Sequence, residues 1–184
     1  GKPVVSRIGF FIEDIDDVAA RTGTSGARMP SRIPVSSLSA ADAGRVGVFQ
    51  YMIGNLDWAM QAGPPGESCC HNHMLVSEPA GIVPVPYDWD YSGLVDTPYA
   101  TPPDAVNVSS VRQRRYRGFC RFNASARSAI EAIRAQQASL LATFAQVPGL
   151  DPRTAGKASA YLGSFFADIA TDASAEAKLL KTCL

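Results

Sequence analysis

Apolar residues come in short runs near the start of the chain and at helical spacing towards its end. The run containing Val4, Val5, Ile8 and Phe10-Phe11-Ile12 reads as a strand over residues 4–12. Residues 13–21 follow with Ile15, Val18 and Ala19 on one helical face, and Gly23 is placed to stop that helix. Residues 22–37 are rich in Gly, Ser, Thr and Pro and read as a loop. Ser39 then caps a helix running to about Ile53, with Asp42 in its first turn and Val46, Phe49, Gln50 and Ile53 on one face. Residues 54–67 break the pattern with Gly54, Asn55, Asp57 and a Gly63-Pro-Pro-Gly66 turn. Two short strands are expected over 71–76 and 81–87, and the prolines of the second suit an edge strand.

Residues 92–110 form another loop. A helix is expected over 125–147, ended by Pro148-Gly149; a second opens at Asp151-Pro152 with Tyr161, Leu162, Phe165, Phe166 and Ile169 on its apolar face; a short one covers 174–182. Strands first and helices afterwards predict an α+β fold that is mostly helical with a few short β-strands. The aromatic helical faces read as core that supports the loops before them.

Composition narrows the function classes. The chain has 184 residues, the size of one ordinary domain, and 46% hydrophobic against 18% charged residues allows a packed core. Its formal net charge is zero, so the basic excess that favours nucleic acid or anionic membranes is lacking. A local run of Arg112, Arg114, Arg115, Arg117 and Arg121 reads first as a solvated or structural patch. No apolar run approaches the roughly 20 residues that span a bilayer. The chain lacks an initiator Met and looks trimmed, so a leader or a longer upstream segment is expected before Gly1. Cys69 and Cys70 are neighbours, and a bridge between them is not expected. A bridge from Cys120 to Cys183 would tie down the C-terminal end and points to an oxidising, periplasmic or secreted compartment.

Three polar clusters fall at element ends: Asn55-Leu-Asp57, His71-Asn72-His73 and Asp88-Trp-Asp90. Carboxylates and a carboxamide suit a hard, oxygen-preferring cation such as Mg²⁺, which leaves positions open for substrate phosphates. Phosphoryl transfer also needs a carboxylate to orient the attacking hydroxyl. Strand-like geometry would point Asp88 and Asp90 one way into a cleft and sink Trp89 into the core.

The order helix, Asn55-x-Asp57, Asn72, apolar strand pair, then Pro84-x-Pro86-Tyr-Asp-Trp-Asp90 resembles the spore-coat protein H-type atypical kinases over roughly residues 7–93. The segment Phe10 to Glu13 looks like that family's strand leading into the hinge between lobes. The resemblance implies one kinase-like C-lobe over 1–184: a hinge-proximal strand and helix (1–23), a catalytic and metal segment (39–93) and a helical support (111–184). It implies Asp57 as catalytic residue; Asn72 with Asp88 or Asp90 as ligands of Mg²⁺ or Mn²⁺; and Asn55, Asn72 and Arg115 around ATP. The partners are then a nucleotide and a protein acceptor. The pattern departs from the family in the long Gly-Pro-Pro-Gly insertion and in lacking a nucleotide-clamping N-terminal lobe; Lys2 alone precedes Lys157. The segment from Arg114 to Cys120 and the terminal Cys183 also resemble bacterial proteins sharing the Asp-Trp/Phe-Asp core, which supports the Cys120–Cys183 bridge.

Other chemistries compete. A non-catalytic, pseudokinase-like or metal-binding extracytoplasmic module would use the same residues without turnover. Zinc could take Cys70 and His73, or His71 and His73, with Asp90, although adjacent residues point to opposite faces. Ser68 and Ser92 lack a nucleophile-elbow pattern.

Overall fold

The computed structural model describes residues 11–26 and 30–184. It is an α+β fold with six helices and a small antiparallel sheet. Helix α1 (Ile15–Thr22) is bounded as its sequence demands. Asp14 caps it by accepting the Asp16 N–H, and Gly23 ends it with φ 67°, returning its N–H to the last turn. Most of the strand expected over 4–12 lies outside the described residues; Phe11 and Ile12 are exposed and outside any strand.

Strands β1 (Ser25–Gly26), β2 (His73–Glu78) and β3 (Gly81–Pro86) lie in the order β1-β2-β3. In β2 and β3, Val76 faces Val83 and His73 faces Pro86. Pro84 and Pro86 have no N–H to give, and β3 sits at the edge as expected. β1 falls within the stretch expected as loop, because two residues are too few to show an alternating pattern.

Helix α2 (Ala40–Ile53) separates two apolar clusters. Ala43 and Val46 face Trp58, Met60 and Leu75 on the sheet side. Val48, Tyr51, Met52 and Ile53 face the C-terminal helices. Burial on two sides explains why α2 shows no single apolar stripe. Ser39 stands at its N-cap, but its hydroxyl donates to Asp42 at 2.6 Å instead of accepting a backbone N–H.

The helix expected over 125–147 is broken into α3 (Asn123–Ala135), α4 (Gln137–Ala142) and a 3₁₀ turn (Thr143–Gln146). Residues 135–139 are all exposed, so no packing holds one straight axis there. The bend at Gln136 turns Leu140, Leu141 and Phe144 back onto the larger cluster. Helix α5 (Pro152–Asp168) opens on Asp151 and Pro152 as predicted, and buries Tyr161, Leu162, Phe165 and Phe166. Helix α6 (Asp172–Lys178) gives way to a 3₁₀ turn, Leu180–Thr182. Cys120 and Cys183 are bridged, with Cα atoms 5.0 Å apart, and Leu184 pairs with Cys120 and Gly118 through its backbone.

Cys69 and Cys70 are joined by a cis peptide bond, with Cα atoms 3.0 Å apart. Among the described residues, no helix is long and apolar enough to cross a membrane.

Candidate functional site

The C-terminal end of α2 organises the site. The last turn of a helix leaves carbonyls without partners. Here Gln50 O accepts the Asn55 N–H, and Tyr51 O accepts from Gly54 and from Arg114 Nε. Met52 O accepts from Arg114, and Ile53 O accepts the Leu94 N–H at 3.0 Å. Gly54, at φ 66°, turns the chain, and its own carbonyl accepts the Gly93 N–H at 3.0 Å. One helix end therefore holds both residues 54–58 and the segment that follows Asp88-Trp-Asp90. A side chain at Gly54 or Gly93 would collide with the Tyr161 hydroxyl from α5, on whose ring Arg112 and Arg114 stack at 4.7 and 3.8 Å.

Asn55 is buried and spends its whole amide inside the protein. Its Oδ1 accepts the Asp57 N–H at 2.9 Å, and its Nδ2 donates to the Asp88 carbonyl at 3.3 Å. It joins two clusters that lie 33 residues apart in sequence.

Asp57 is half-buried and held from both sides. His71 Nε2 meets its Oδ1 at 2.8 Å, and Asn72 Nδ2 donates to its Oδ2 at 3.1 Å and to its carbonyl at 2.7 Å. Asn72 adopts φ 54°, a left-handed conformation that Asn tolerates. The Tyr87 N–H donates to the Asn72 carbonyl at 3.3 Å, so Asn72 stands across from the residue that precedes Asp88. Asn72 Oδ1 has no hydrogen-bond partner among the described residues.

Asp57 opens onto a recess of about 370 Å³ with His71, Arg117, Gly63, Pro64 and Pro103 on its walls. The Gly-Pro-Pro-Gly insertion thus forms one side of it. Arg117, rather than Arg115, brings positive charge here. It donates to the Leu56 and Trp58 carbonyls, and stands 5.5 Å from the Trp58 ring centre. Burial holds the guanidinium below its ordinary value, opposed by the Asp57 charge.

Arg115 lies elsewhere, in a recess with Tyr51, Asp168 and Lys178. Tyr116, between the two in the chain, is buried. Arg114 is a structural residue under α2, and Arg112 bonds Asp96 and the Gly93 carbonyl. Most of the arginine run is therefore structural.

The Asp88-Trp-Asp90 segment lies past the end of β3 and does not keep strand alternation. Trp89 is not a core anchor: it is 36% exposed and packs edge-on against Phe49 at 6.1 Å. Asp88 Oδ1 accepts the Asp90 N–H at 3.3 Å, while Asp90 Oδ2 accepts the Tyr99 hydroxyl at 3.1 Å. The two carboxylates have different surroundings; Asn55 reaches the Asp88 backbone carbonyl and neither carboxylate.

His73 is buried beside Trp58, its ring 5.6 Å from the indole and its Nδ1 against the His71 carbonyl. Burial pushes its pKa down to about 4, so it is neutral. Among the described residues, no three His, Cys, Asp or Glu side chains are grouped as metal ligands. Asn72 Oδ1 and Asp88 Oδ2 have no hydrogen-bond partner among the described residues.

The sequence offers His71 only as a member of a polar cluster and as an alternative zinc ligand, and does not separate Arg117 from its run. Adjacency to Asn72 is the only signal for His71; none distinguishes Arg117. No protein-family model matches the chain, and no curated protein or solved structure is significantly similar.

Proposed function

We propose that this chain carries the acceptor-orienting and metal-binding part of an atypical kinase-like transferase, acting with a nucleotide-clamping lobe. The observation that carries this reading is the Asp57 carboxylate, held by Asn72 and His71, with Asn55 tying the Asp57 backbone N–H to the Asp88 backbone carbonyl. A phosphoryl acceptor needs a fixed carboxylate to receive its hydroxyl hydrogen bond, at the edge of an accessible recess. Asp57 meets that need. Asn72 and Asp88 would hold Mg²⁺ or Mn²⁺, which supplies charge neutralisation at the nucleotide phosphates. Arg117 keeps the backbone of Leu56 and Trp58 in place on either side of Asp57. Asp90, bonded to Tyr99, serves as a support for the segment. The Cys120–Cys183 bridge favours an extracytoplasmic location.

A non-catalytic module is the second reading, favoured by the lack of any Lys between Lys2 and Lys157 that could clamp phosphate from this chain. Calorimetry with ATP and Mg²⁺ or Mn²⁺ on the full-length protein separates them, followed by a search for labelled product. Metal-dependent nucleotide binding, with turnover about 10²–10⁴-fold lower in Asp57→Ala and an unchanged circular dichroism spectrum, is expected for the transferase. Stoichiometric binding without product selects the module. Absence of nucleotide binding rejects the transferase and leaves a module that binds metal alone.

A further inference from the structure

A second cavity, of about 300 Å³, lies on the other side of the segment that bears Asp88 and Asp90. Its walls include Phe49 and Met52 of α2, Trp89, Val95, Phe144, and Leu162 of α5. No charged side chain lines it. Its two hydroxyls are already engaged within the chain: Ser92 Oγ accepts the Val95 N–H at 3.3 Å, and Thr143 Oγ1 donates to the Ser139 carbonyl at 3.2 Å. A polar ligand would lose its water and find at most the Ser92 O–H as a partner here, whereas an apolar one loses nothing. The volume is at the lower end of the roughly 300–1,000 Å³ range of small-molecule sites.

The cavity has a defined mouth. Val95 is 52% and Trp89 36% exposed, marking the side open to water. Asp88, Asp90 and Asp96 flank these two residues in the chain, and Arg112 pairs with Asp96 alone among them. Carboxylates next in the chain to both mouth residues disfavour an anionic headgroup there.

We infer that this cavity binds the single alkyl chain of a small, neutral-headed amphiphile, with the polar end left in water beside Trp89 and Val95. Binding needs neither nucleotide nor metal, and it stands apart from the transferase reading.

The test is titration of the full chain with n-decanol, followed by tryptophan fluorescence and calorimetry. Trp58 is buried in the other cluster, so Trp89 reports occupancy. A saturable one-to-one blue shift is expected, with decanoate binding at least tenfold more weakly. Trp89→Phe should abolish the optical signal. Val95→Asp at the mouth and Thr143→Phe on the wall, both at exposed positions, should each weaken decanol at least tenfold. Binding that does not saturate, or that both variants leave unchanged, overturns the inference. So does binding confined to phosphatidylcholine vesicles, or a Trp89 blue shift that rises with protein concentration alone, which would assign the cavity to a second copy of the chain.

Discussion

The loops around Asp57 and the helices that follow Cys120 are held together by different means. In the first region, side chains reach across the chain to backbone groups: Asn55 to Asp88, Asn72 to Asp57, Arg117 to Leu56 and Trp58. In the second, apolar faces of α3, α5 and α6 meet in one cluster, closed by a bridge near the chain end. A cluster of Ile130, Leu162, Phe165 and Ile169 tolerates small shifts, since it is largely non-directional. A hydrogen-bonded loop does not, because an unpaired buried polar group is costly. The region that must hold Asp57 in one geometry uses the directional interactions.

The largest expected effect tests the helical side. The Cys120–Cys183 bridge closes a separation of 63 residues. Constraining a loop of that length in the unfolded chain corresponds to about 4 kcal/mol. Cys120→Ser with Cys183→Ser should lower stability by that order in urea unfolding, with fraying concentrated in α6 and the last turn. Loss of structure first around Asp57 would show that the bridge serves the loops instead.

The next effect belongs to the loop side, where His73 packs on Trp58, and appears with pH. His73 has its pKa lowered to about 4 by burial, against an ordinary 6.5. The unfolded chain therefore takes up a proton below about pH 6.5 that the folded chain refuses until about pH 4. Stability should be independent of this group above 6.5 and fall by about 3 kcal/mol as pH drops from 6.5 to 4. The check is the urea midpoint against pH, in chelator, compared with His73→Phe, which removes this slope and leaves that of the carboxylates. An identical slope in the variant would refute it.

This contrast also explains what could be read from the sequence. Helix α5 follows from apolar spacing and from Asp151 and Pro152, and the ends of α2 from Ser39 and Gly54, since those signals are local. The edge position of β3 follows from Pro84 and Pro86. The break at Gln136 is not legible, because it depends on where the cluster lies, which draws in Leu140 and Phe144. Asn55, Asp57, Asn72 and Asp88 can be singled out by type and position at element ends. Their division of labour cannot: the bond from Asn55 to Asp88, the turn of Asp90 to Tyr99 and the place of Arg115 depend on contacts between distant segments. Trp89 is misjudged for a related reason, since alternation holds only while the strand continues.

His71 provides the smallest effect on stability and the sharpest test of what the directional contacts do. The ring and Asp57 are both about a third exposed, at 39% and 30% of their side chains. Solvent screening limits such a pair to less than about 1 kcal/mol. If the loop contacts only hold the fold together, His71→Ala should then leave the protein almost unchanged. If they orient Asp57, the same substitution leaves Oδ1 without its partner while Asn72 keeps Oδ2, and the carboxylate gains freedom to rotate. Misplacing a reacting group by about 1 Å can cost about a hundredfold in rate. The expected outcome for His71→Ala is an unchanged urea midpoint, nucleotide affinity within a factor of about two and turnover at least tenfold lower; these values rest on the pair being worth little to the fold and much to orientation. His71→Gln, whose amide can donate to Oδ1, should recover most of the rate. A drop in stability matching the drop in rate, with no rescue by Gln, would make His71 a part of the scaffold and leave Asn72 alone to orient Asp57.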